Sequence, residues 1–138
     1  MRRILATGLL CSGLAACAMP GPFSGLGPPG DLRADRQACN QAYPERIGNY
    51  AAHAACVNAA VERDAIATAR YPDLVRLQER LRTKYSAEID SRVISPGVGE
   101  RKMREVDDMV AATTRERDAG RVQAADNRTG RLEAMLQR

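Results

Sequence analysis

The chain has 138 residues, with 21 Lys and Arg against 17 Asp and Glu, one His, four Tyr, one Phe and no Trp. So few large apolar residues predict a thin, Ala-rich core between packed helices rather than a globule around a deep pocket. Both charge signs alternate along the chain, the pattern of a solvated helical surface, so no nucleic-acid partner is expected.

Arg2 and Arg3 precede Ile4 to Ala16, a 13-residue uncharged run rich in Leu, Ala and Gly. Such a run has the size of a signal-peptide core and falls short of the roughly 20 residues that span a bilayer. It closes on Leu14-Ala15-Ala16-Cys17, which resembles the lipobox of bacterial lipoproteins. The resemblance implies a signal peptide over 1–16, cleavage after Ala16 and lipidation of the Cys17 thiol. Ala18 in the next position implies delivery to the outer membrane, facing the periplasm. Rival readings are an ordinary secretory signal or an uncleaved N-terminal anchor; Cys11 is a poor rival because the bulky Leu10 precedes it. Acyl chains contribute about 0.8 kcal/mol per buried methylene, so more than one chain holds stably to a membrane. Loss of Arg2 and Arg3 with the signal leaves 122 residues, with 19 Lys and Arg against 17 Asp and Glu, and lowers the net charge from +4 to +2.

Residues 17–30 read as lipid anchor and tether. Positions 19–30 hold four Pro and four Gly, a composition that forms neither helix nor sheet. Fully extended, these twelve positions reach roughly 40 Å.

A helical domain is expected over 31–120. Asp31 is placed to cap a helix running to about Tyr43, and Pro44 ends it. Gly48-Asn49 supplies turn and cap residues for a second helix over about Tyr50 to Arg70, whose Ala-rich face (Ala51 to Ala60) packs inward. Cys39 and Cys56 then lie about 6–9 Å from the same turn, so an antiparallel hairpin brings them level. Export to an oxidising compartment makes a disulfide the expected state. Closing the loop between them contributes about 3 kcal/mol on the chain-entropy account. Free thiols, a metal site and a redox pair are the alternatives. His53, the one histidine, shares a helix face with Cys56, but zinc wants a fourth ligand and there is no C-x-x-C spacing. His53 is therefore read as a helix-surface or interhelix residue, and no metal or cofactor is expected.

Tyr71-Pro72-Asp73 breaks the chain, with Asp73 placed to cap a third helix. Leu74, Leu77, Leu81 and Tyr85, continued by Ile89 and Val93, make one apolar stripe. Ser95-Pro96-Gly97 restarts the chain as a fourth helix, antiparallel to the third, that carries Val98, Met103, Val106 and Val110 to about Gly120. The spacing averages closer to 3.7 than 3.5, which favours core packing within one domain over a coiled-coil seam. Residues 121–138, interrupted by Asn127 and Gly130 and sparse in apolar residues before Leu132, are expected to form a frayed or weakly helical tail. The fold class is all-α: a disulfide-tied short helical hairpin followed by a longer one.

The sequence holds no G-x-S-x-G, H-E-x-x-H or phosphate-cradling loop, and neighbouring acids such as Asp107-Asp108 point about 100° apart on a helix. No catalytic residue and no small-molecule substrate are expected. Cys39 to Glu62, and in outline the chain through Tyr71-Pro72-Asp73-Leu74 to the next hairpin, resembles small uncharacterised helical lipoproteins of Gram-negative bacteria. Leu74, Leu77, Leu81 and Tyr85 also resemble the Leu-x2-Leu-x3-Leu-x3-Tyr of lysozyme-inhibitor-like lipoproteins. The chain departs from that pattern at Gln78, where Asp is usual, and in the 17 residues separating Cys56 from Leu74. The expected role is that of a non-enzymatic, lipid-anchored envelope protein whose third and fourth helices present charged faces to an envelope protein or to peptidoglycan. The alternative is a periplasmic binding or inhibitor module acting on a lytic enzyme or on peptidoglycan. Covalent attachment to the wall through a terminal Lys is not expected, since the last residue is Arg138.

Overall fold

A computed structural model describes residues 30–138, which form five α-helices joined by short turns, with no strand among the described residues. Helix α1 (Leu32–Ala42) starts where its cap predicts: the Asp31 carboxylate accepts the Ala34 N–H at 2.9 Å. Helix α2 (Tyr50–Asp64) runs back along it, and Cys39 and Cys56 join the two as a disulfide with Cα atoms 5.7 Å apart. Val57 and Val61 complete a small core around the bridge, with Leu32, Tyr43, Ile66 and Val75 packed on it.

Two expectations for α2 need correction. Asn49 holds the N-cap position as expected but makes no side-chain cap bond; Asp90, at the end of α3, accepts the N–H groups of Gly48 (2.6 Å), Tyr50 (3.2 Å) and Ala51 (2.8 Å). A carboxylate from another helix thus meets the positive end of the α2 dipole. The helix also stops at Asp64 rather than Arg70. The Asp64 carboxylate turns onto Arg63 and accepts the Gly30 N–H at 3.0 Å. A 3-10 turn at Ile66–Thr68 then leads into extended backbone ahead of Pro72.

Helix α3 (Pro72–Asp90) buries the predicted stripe from Leu74 through Ile89. Val93 is not part of it: it lies past the helix end and is 71% exposed. Tyr71, not Asp73, holds the N-cap position, because Pro72 already fits the first helical turn. Asp73 pairs instead with Arg117 at 2.7 Å. Helix α4 (Pro96–Asp118) begins at Ser95, whose carbonyl takes the Val98 and Gly99 N–H groups while its side chain makes no cap bond. It lies antiparallel to α3: a Cβ at Gly99 would overlap the Ile89 side chain, Gln78 donates to Asp107 at 2.7 Å, and the Tyr71 hydroxyl donates to Asp118 at 2.8 Å.

The expected frayed tail is the largest correction. Gly120, at φ 69°, closes α4 with the Arg121 N–H on the Glu116 carbonyl, and helix α5 (Val122–Gln137) follows. Ala125, Leu132 and Met135 are buried on one face of α5. Leu132 and Met135 enter a core shared with Leu77, Leu81 and Tyr85 of α3 and Val106 of α4. Tertiary burial outweighs the roughly 1 kcal/mol that Gly130 costs a helix interior. The longer hairpin is therefore two sides of a three-helix bundle, with α2 and α1 layered on its α3 face.

Candidate functional site

The structure puts the predicted residues in three places. Cys39 and Cys56 are buried in their bridge and serve the fold. Cys17, the signal peptide and the tether up to residue 29 lie outside the described residues. His53 joins α2 to α1, its Nε2 lying 2.6 Å from the Asn40 Oδ1. Burial lowers its pKa, opposed by Glu45, whose Oε1 lies 3.9 Å from Nδ1, and assisted by Arg82. Among the described residues no three His, Cys, Asp or Glu side chains converge as a metal site. No described helix is long and apolar enough to cross a membrane.

Below the disulfide, the buried Asp35 of α1 pairs with Arg63, which also holds Asp64 at 2.8 Å. The Arg63 hydrogen bond keeps the Asp64 carboxyl below its usual range, and the same bond raises the Arg63 pKa. These groups staple α1 to the end of α2.

Several concavities open among the described residues, four of them between about 350 and 770 Å³, and none was predicted. One of about 770 Å³ runs between α4 and α5. Met109, Ala112 and Met135 make its apolar floor, and Arg101, Arg104, Arg128, Arg131 and Arg138 stand around it with Glu105 and Asp108. Arg128 is engaged by Glu116 at 2.7 Å, a contact that lowers the Glu116 pKa. Arg104 meets Glu100 only at 3.8 Å, with both side chains exposed. Arg101, Arg131 and Arg138 form no ion pair with a described carboxylate. A guanidinium without a carboxylate partner offers a planar fork of donors to an incoming anion.

A cleft of about 380 Å³ opens between α2, α3 and α4, with residues of α1 at its rim. Its floor is Val57, Tyr85, Ile89 and Met103, and His53, Tyr50, Arg36 and Arg82 look onto it with Glu45 and Glu100. Arg82 donates to the neutral Asn58 at 2.5 Å. Burial, then the like charge of Arg36, lowers the Arg82 pKa, while Asp107 and Glu79 oppose the shift. Burial, then Glu45, Glu100 and Asp90, raises the Tyr50 pKa.

No known family, curated protein or solved structure matches this chain. The functional reading therefore rests on these residues alone. Sequence inspection missed the arginine groove because its wall combines α4 with α5, the segment expected to fray. A signal was present: Arg128 and Arg131 share a helix with Met135 at spacings of seven and four, which places all three toward one side.

Proposed function

We propose that this chain is a lipid-anchored, non-enzymatic envelope protein that holds an acidic segment of another envelope component in the groove between α4 and α5. The observation that carries the binding half is the groove itself: Arg101, Arg131 and Arg138, without an ion pair to a described carboxylate, stand around a Met and Ala floor. Methionine adapts to differently shaped apolar side chains, and the surrounding guanidinium groups select for carboxylates or phosphates. The lipobox resemblance at Leu14 to Cys17 supports the anchoring half, and the Pro and Gly-rich stretch after it supplies a tether of roughly 40 Å. The domain then works within a fixed distance of one membrane, where a short tether raises its effective concentration for partners on that surface.

The test is recovery of partners from gently cross-linked envelopes, comparing the wild-type chain with an Arg101→Glu, Arg131→Glu double variant. Both residues are exposed, so the fold should survive. A species recovered with wild type and lost with the variant supports the reading. No recovered species, or equal recovery by both chains, overturns it.

A further inference from the structure

The cleft between α2, α3 and α4 has two chemically different ends. Helices α2 and α4 run parallel, with α3 antiparallel to both. Tyr50 therefore starts α2 at the end where Ile89 closes α3 and Gly99 and Glu100 open α4. Glu45, in the turn before α2, joins Glu100 there and makes this end acidic. Seven residues along α2, Val57 lies at the other end with Gln78, Arg82 and Asp107. The disulfide and the Asn40–His53 bond fix the register of α1, which carries Arg36 to this second end beside Arg82. Seven residues of helix separate the ends by about 10 Å.

Among the described residues the charges at both ends lack a close ion-pair partner, although Arg82 donates to the neutral Asn58. At the basic end Asp107 is occupied by Gln78, and neither Arg36 nor Arg82 forms an ion pair with a described carboxylate. At the acidic end Asp90 is occupied by three backbone N–H groups. Among the described residues Glu45 meets the neutral His53 at 3.9 Å, and Glu100 the exposed Arg104 at 3.8 Å. Arg36 and Arg82, the latter bonded to the neutral Asn58, thus face Glu45 and Glu100 across an apolar floor. The volume, about 380 Å³, lies within the range of roughly 300–1,000 Å³ found for small-molecule sites.

We propose that this cleft binds a short zwitterionic peptide of two or three residues, its carboxylate between Arg36 and Arg82 and its ammonium between Glu45 and Glu100. Extended chain advances about 3.3–3.6 Å per residue, so three residues match the separation of the two ends. A single amino acid carries its charges too close together to meet both ends, and a simple polyanion is repelled by the glutamates. Val57, Ile89 and Met103 would receive small apolar side chains. The site is separate from the arginine groove and stands or falls independently of it.

The experiment is titration of the purified full chain, followed by amide NMR, with trialanine, N-acetyl-trialanine and trialanine amide. The free peptide is expected to shift resonances along the facing turns of α2, α3 and α4, and each cap is expected to weaken binding about tenfold or more. Glu100→Gln should erase the penalty of N-acetylation, and Arg36→Gln most of the penalty of amidation. Both side chains are exposed, so neither change threatens the fold. No shift at ~10 mM trialanine, a concentration that loads sites with Kd near 1 mM, overturns the proposal. So does binding indifferent to either cap, or shifts confined to the groove between α4 and α5.

Discussion

Truncation of Leu132 to Ala tests whether α5 is part of the fold. Leu132 is fully buried against Leu77, Leu81, Tyr85 and Val106. Leu→Ala removes three carbons, about 2.4 kcal/mol at about 0.8 kcal/mol per buried methylene. The cavity left behind brings the expected loss to about 2–5 kcal/mol. With a urea slope near 2 kcal/mol/M, the midpoint should fall by about 1–2.5 M. The assay is urea unfolding of the full chain followed by far-ultraviolet circular dichroism, with Val122→Ala as the control. Val122 starts the same helix but is 64% exposed, so its variant should stay within about 0.5 kcal/mol of wild type. If Leu132→Ala unfolds at the wild-type midpoint, α5 is not packed on α3 and α4, and the arginine groove loses one wall.

Three further outcomes follow from particular contacts. Replacing both Cys39 and Cys56 by Ser should cost about 2–4 kcal/mol in the same urea experiment and leave no free thiol to explain the change; an unchanged midpoint would remove the bridge from the account. Asp90→Ala should cost about 1–2 kcal/mol by uncapping α2, and amide exchange should quicken first at Gly48, Tyr50 and Ala51. Glu79 is buried with its Oε1 unpartnered, and burial, then Glu62, raises its pKa. Its ionisation therefore costs stability as the pH rises above the unfolded value, and the loss is complete above its raised folded-state pKa. Glu79→Gln should raise the melting temperature at pH 7, and the gain should vanish below about pH 4, where an unfolded glutamate is itself protonated. A gain that persists at low pH would refute that cause.

The legible parts of the fold were those written in local pattern. The Leu74 to Ile89 stripe, the Asp31 cap, Pro44 and Pro96 each act within one turn of helix, and each appears where the spacing places it. The Cys39–Cys56 bridge was legible because both helices could be measured from the turn between them. The missed features depend on partners distant in sequence. Asp90 caps α2 from 40 residues away, and Asp73 serves Arg117 rather than its own helix. Helix α5 carries Asn127 and Gly130, which look like breaks until Leu132 and Met135 are seen filling the space between α3 and α4. The groove and the cleft are missed for the same reason, since each is walled by several helices.

The central claim is a helical domain held to a membrane by lipid on Cys17, and intact-mass spectrometry of the protein extracted from envelopes tests it most directly. The account predicts a chain that begins at Cys17 and carries acyl mass on that residue. A chain that still begins at Met1, or one cleaved elsewhere and free of acyl mass, would contradict it.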